Sequence, residues 1–121
     1  MNKKYSLKKN KDIEKLVHMK KSVGNKFYSI YYLINNKEPR IAISASKKLG
    51  NAVSRNYEKR VIREIVRPLL NNIGGYDLLI VIKSTAPNLS FEEKKGHVEY
   101  LLNKIINRSW KWKITKNIYY L

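Results

Sequence analysis

From Val53 to Arg67 the sequence reads as a helix with two incompatible faces, and this limits how the rest of the chain can be arranged. At about 100° per residue with Arg55 as origin, Val61, Ile65, Ile62 and Val66 fall at about 240°, about 280°, about 340° and about 20°. Arg55, Lys59, Arg63 and Arg67 fall at about 0°, about 40°, about 80° and about 120° on the same projection, with Asn56 and Arg60 beside them at about 100° and about 140°. One face must be buried against a second layer, and the other must meet solvent or a polyanion. Glu58 is read as lying on the other side of the helix from the cations. Pro68 ends or kinks the segment, because it lacks the N–H and clashes with the preceding turn.

Like charges one turn apart cost a few tenths of a kcal/mol each in an isolated helix, so four in register are an odd choice for a merely solvated face. Arginine also suits forked contact with phosphate oxygens better than lysine does. Just before the helix, Lys47-Lys48-Leu49-Gly50-Asn51 supplies two cations, a flexible backbone and an amide. The helix N-terminus adds its own partial positive charge. The chain as a whole carries 26 basic and nine acidic residues, a formal net charge of +17. Residues 1–26 carry +7 and residues 47–67 carry +5, so the charge has two foci. Such an imbalance destabilises a compact state by self-repulsion unless a polyanion neutralises it. A lysine-rich solvated surface is the plainer reading, but it leaves the arginine-rich centre unexplained. Nucleic acid is the favoured partner and an anionic membrane surface the weaker one.

The remaining elements follow from periodicity. Asn10 to Met19 places Ile13, Leu16 and Val17 at helical spacing, with Asn10 or Asp12 as N-cap. Phe27 to Ile34 is aromatic and β-branched and reads as a strand, with Phe27, Ser29, Tyr31 and Leu33 on one face and Tyr28, Ile30, Tyr32 and Ile34 on the other. Asn35 to Pro39 is a turn, and Arg40 to Ser46 a second strand, expected to form a hairpin with the first. Gly74-Gly75 is a turn before a buried strand, Asp77 to Lys83, and Ser84 to Leu89 is a loop. Ser90 and Glu93 form a capping box ahead of a helix with Val98, Leu101, Leu102, Ile105 and Ile106 on one stripe, ending near Asn107. The tail, residues 108–121, alternates Trp110, Trp112 and Ile114 with polar residues, and reads either as an edge strand or as a disordered basic end.

At 121 residues the chain is expected to form a single RNA-binding domain, 1–121. A hydrophobic fraction of 43% allows one core, and the absence of cysteine excludes disulfides and thiolate metal sites. No apolar run approaches the roughly 20 residues of a membrane span, and the lysine-rich start has no apolar segment of a secretory signal. The expected location is cytoplasmic, with no membrane contact. A stand-alone nuclease needs clustered acids or a partnered histidine. The acids are scattered, and His18 and His97 each read as isolated surface residues. No residue is assigned a catalytic or metal-binding role.

The string Ser44 to Arg67, SASKKLGNAVSRNYEKRVIREIVR, closely resembles the signature of the bacterial ribonuclease P protein subunit. The matching positions are Lys47, Lys48, Gly50, Asn51, Ala52, Val53, Arg55, Asn56, Lys59, Arg60 and Arg63. The resemblance extends to Leu7-Lys8-Lys9 and Asp12, to the aromatic strand, and to the helix after Ser90-Phe91, and stops before residue 108. It implies an α+β two-layer sandwich in the order α-β-β-β-α-β-α. Its central mixed sheet would have about four strands with three helices, and a left-handed β-α-β crossover through the basic helix. The fourth strand would be a short piece near Ser22-Val23. The resemblance further implies that an RNA subunit performs endonucleolytic 5′-end maturation of precursor tRNA with magnesium held mainly by that RNA, none being bound tightly by the protein.

On this reading the protein grips ribonuclease P RNA through Lys47, Lys48, Asn51, Arg55, Asn56, Lys59, Arg60, Arg63 and Arg67. It binds the single-stranded 5′ leader through Lys9, Ile13, Val17, Ser29 and Tyr31, and needs no obligate protein partner. Two departures stand out: Ile13 and Val17 occupy positions that are commonly aromatic in the family, and Tyr57 replaces the family's second arginine. A ribosomal or RNA-chaperone protein of similar fold is the alternative, followed by a DNA-binding architectural protein.

Overall fold

A computed structural model describes residues 6–7, 10–19 and 21–120, with side chains except those of residues 10 and 107–120. The β-branched and aromatic runs form one sheet of four strands: β1 (Ser22–Gly24), β2 (Tyr28–Ile34), β3 (Arg40–Ala45) and β4 (Tyr76–Ile82). Their spatial order is β1-β2-β4-β3. β1 is the short strand expected near Ser22-Val23. The helices are α1 (Asn10–His18), α2 (Ala52–Val66), a single turn α3 (Leu70–Ile73) and α4 (Phe91–Tyr120). Together they give a mixed open sheet with three full helices in the expected order.

β2 and β3 do not form a hairpin. β4 lies between them, antiparallel to β2 (Ile30 opposite Ile80) and parallel to β3 (Ile43 opposite Ile80). The reason is burial: Leu78, Ile80 and Ile82 are fully enclosed on one face, and Asp77 and Leu79 are buried on the other. A strand apolar on both faces is most stable at the centre of a sheet. The turn joining β2 to β3 packs against the α3–β4 turn instead, where Asn35 N–H donates to Gly75 O at 2.8 Å. A Cβ at Gly75 would sit 3.0 Å from Asn36 Cα, so a side chain there would push the two turns apart by a few tenths of an ångström.

The even-numbered face of β2 and β4 packs with Ile62, Ile65 and Val66 of α2 and Val98, Leu101 and Ile105 of α4 to make the main core. α1 covers the opposite face through Leu16, which is fully buried with Leu7 and Leu79. Pro68 stops α2 at Val66, and the chain tightens into a 3₁₀ turn over Arg67–Leu69 before α3. The box predicted at Ser90 is present: Ser90 N–H donates to Glu93 Oε1 at 3.1 Å, and Glu93 N–H to Ser90 Oγ at 3.2 Å. The bond from the Ser90 N–H, with the Ser90 side chain as a smaller cause, favours the ionised form and holds the Glu93 carboxyl below its ordinary range. α4 continues beyond Asn107 to Tyr120. No glycine or proline follows Gly96 to interrupt it. The side chains of the tail lie outside the described residues, as does Lys9.

Candidate RNA interface

The loop after β3 is built to deliver cations. Ser46 Oγ accepts from Lys48 N–H at 3.3 Å, turning Lys47–Leu49 into one 3₁₀ turn with both lysines exposed. Gly50 adopts φ +124°, a conformation that disfavours a side chain, and brings the chain round to Asn51. Asn51 caps α2: its Oδ1 accepts from Ser54 N–H at 2.9 Å. That occupies the amide oxygen of an exposed residue and leaves its NH₂ as a donor. No acidic residue sits in the first turn of α2, so the positive end of the helix is uncompensated.

Asn56, Arg60 and Arg63 of α2 and its C-cap Arg67 are exposed, while Arg55 and Lys59 are half-buried. The stripe is therefore not uniformly solvent-facing. Arg55 Nε is buried without a partner among the described residues. Arg67 lies 3.5 Å from Glu64, both more than half exposed, a pair of little energetic weight.

Glu58 lies on the side of α2 away from the cations, as expected, but inside the core. It is 3% exposed and forms a buried ion pair with Lys94 of α4, Oε1 to Nζ at 3.0 Å. Its second oxygen, Oε2, and Tyr28 Oη are both buried without a partner among the described residues. Burial, with the Glu58 charge as a smaller cause, pushes the Tyr28 hydroxyl far above the ordinary tyrosine range. His97 is likewise not an isolated surface residue. It is half-buried, its ring 4.7 Å from that of Phe27, and its Nδ1 lies 3.1 Å from Asn25 Nδ2. Because Asn25 Oδ1 accepts from the Phe27 and Tyr28 N–H groups, its NH₂ faces His97, which makes Nδ1 the acceptor. His18 is exposed.

On the α1 face of the sheet, Ser29 and Tyr31 are half-buried, with Ile13 half-buried and Val17 44% exposed on the helix above. The structure thus brings Ile13, Ser29 and Tyr31, three of the five residues expected to line a cleft, to one face, with Val17 more exposed one turn along α1. Tyr31 also packs with the Leu7, Leu16 and Leu79 cluster, together with Ala42 and Val81. Ala42, Leu79 and Val81 complete the floor, and sequence reasoning missed them, although the unbroken apolar run of β4, which marks a strand covered on both faces, was a usable signal. A hollow of about 220 Å³ at the β3 edge is lined by both Ile13 and Arg63 among its residues, so the cleft side and the basic helix adjoin. At the other end, the Arg40 guanidinium makes two bonds to buried Asp77, at 2.9 and 2.8 Å, and lies 3.5 Å from Asp12 of α1. The Asp77 bonds raise the already high pKa of Arg40 and tie the floor to the helix.

Among the described residues no three His, Cys, Asp or Glu side chains gather to hold a metal ion. Asp77 is committed to Arg40 and Asn35, and Glu58 to Lys94, so these carboxylates do not fit a magnesium cage. No helix among the described residues is long and apolar enough to cross a membrane.

A mixed four-stranded sheet, covered by one helix on one side and flanked by a cationic helix on the other, defines a small polyanion-binding α+β protein. The family model described as Ribonuclease P matches residues 1–106. The chain is 37% identical over 114 residues to the ribonuclease P protein component of Staphylococcus haemolyticus, covering 92% of this chain and 100% of that one. It is 39% identical over 106 residues to that of Bacillus velezensis, covering 86% and 91%. The solved structure of the Staphylococcus aureus RNase P protein superposes with a TM-score of 0.78 at 32% identity, over 84% of this chain and 94% of that one. The chain belongs to the ribonuclease P protein family. It is the protein component of a ribonucleoprotein endoribonuclease and associates with ribonuclease P RNA.

Proposed function

We propose that the chain supports 5′-end maturation of precursor tRNA through two adjoining surfaces. The exposed cations of the loop and α2 hold the catalytic RNA, and the α1–sheet cleft receives the 5′ leader. The observation that carries this reading is that one helix, α2, buries Ile62, Ile65 and Val66 while exposing Arg60 and Arg63, and that Arg63 lines a hollow together with Ile13 of the cleft side. Magnesium belongs to the RNA in this scheme and supplies the activation of water there. The protein's own groups neutralise phosphate and orient the leader. The complex acts in the cytoplasm on precursor tRNA and needs no further protein.

Two measurements test the scheme. The purified protein, freed of RNA, should cleave no precursor tRNA, yet should lower the magnesium concentration at which ribonuclease P RNA becomes active. Cleavage by the protein alone would refute it. Tyr31→Ala should weaken binding of precursor tRNA by roughly 1–3 kcal/mol, as for bases stacked on an aromatic ring elsewhere, while leaving mature tRNA unaffected. Tyr31→Phe should keep most of the affinity because the π-face survives. Paired titrations with and without leader decide the matter: an equal loss for both ligands would make Tyr31 a packing residue only.

A further inference from the structure

α2 carries an aromatic surface that the phosphate-holding role leaves unused. Val53 and Tyr57, one turn apart, are 77% and 57% exposed, although large apolar side chains on a charged helix normally turn inward. On the helical projection Tyr57 lies at about 200° and Val53 at about 160°, next to Arg60 at about 140° and therefore at the margin of the basic stripe. Tyr57 is also held from beneath: Lys94 Nζ lies 5.8 Å from its ring centroid, and that ammonium is itself fixed by Glu58. A ring restrained on one face and open on the other loses little conformational freedom when something stacks on it.

We propose that Tyr57 stacks on an unpaired base of the catalytic RNA, with Val53 flanking it and Arg60 neutralising the neighbouring phosphate. The occupant is set by charge complementarity. Arg60, exposed beside this ring on the helical projection, favours a polyanion, and the π-face suits the planar, weakly polar surface that a nucleobase offers. Tyr57 then adds affinity that does not depend on counterion release, whereas an arginine there would add a salt-sensitive phosphate contact. The inference rests on the assignment of α2 to the RNA subunit, and its test separates the two.

The experiment titrates the catalytic RNA against the full chain at several salt concentrations, with a thermal melt of each variant. Tyr57→Ala should weaken binding by about 5- to 100-fold, with the slope of log K against log salt unchanged. Tyr57→Phe should bind within about twofold of the parent. Tyr57→Leu keeps the cover over Lys94 but lacks the π-face. It should therefore melt like the parent and bind like Tyr57→Ala. Tyr57→Arg should steepen the salt slope by roughly 0.7–0.9. Parent-like binding by Tyr57→Leu would overturn the stacking contact, as would a salt slope in Tyr57→Ala flattened to match that of Arg63→Ala. Undiminished binding by Arg63→Ala would overturn the assignment of α2 itself. A loss at Arg63 with none at Tyr57 would remove only the stacking.

Discussion

Replacing Glu58 with alanine should cost about 3–5 kcal/mol of folding stability, the usual consequence of stranding one member of a buried ion pair. Lys94 is 4% exposed, and its ammonium would be left enclosed without a counter-charge. For a domain of this size the loss corresponds to a fall in melting temperature of roughly 10–20 °C. The double variant Glu58→Leu/Lys94→Met should recover most of it, since two buried charges exchanged for apolar groups of similar volume are often neutral or stabilising. Circular-dichroism melts of Glu58→Ala and of the double variant measure this. A Glu58→Ala variant melting with the parent would mean that the pair is open to water.

The second large effect concerns RNA. Removing Arg60, Arg63 and Arg67 together should flatten the salt dependence of binding to ribonuclease P RNA by about 2–3 in log–log slope, at roughly 0.7–0.9 per phosphate contact. At about 0.1 M salt this amounts to about a hundredfold weaker binding, shrinking toward nothing at about 1 M. The fold should hold or gain slightly, because the three side chains are exposed and their mutual repulsion along α2 is relieved. A melting temperature several degrees lower, or a parallel shift of the salt plot, would show that the arginines act through structure and not through phosphate.

How much of this was legible beforehand varies with the kind of signal. The basic stripe and its loop could be read because helical period, charge sign and turn chemistry all point one way. Glu58 could have been placed as well. On the same projection it falls at about 300°, between Ile65 and Ile62, at the centre of the apolar face. Its charge argues for solvent and its angle for the core, and the partner that makes its burial tolerable, Lys94, stands 36 residues away on another helix. The position of β4 is a similar case. The run Leu78-Leu79-Ile80-Val81-Ile82 lacks alternation, the mark of a strand covered on both sides, whereas the five-residue turn after β2 favours a hairpin when read locally. Residues that act through distant partners, such as the Arg40, Asp77 and Asp12 group or Asn25 with His97, have no pattern in one dimension at all. Family resemblance supplied the proposed leader cleft, but not the ties that hold it.

The interposed strand also dictates an order of assembly. When the ribosome has released residues 1–75, β1 and β2 can pair, but β3 has no neighbouring strand in the sheet and the aliphatic face of α2 lacks much of its wall. Both wait for residues 76–82, whose pairings with β2 and β3 are of long sequence separation and carry a correspondingly large loop-closure cost. Docking of that one segment therefore consolidates the floor beneath α1 and the seat of α2 in a single cooperative event. A nascent chain stalled earlier would present its cations on an unfinished scaffold, with neither surface yet rigid.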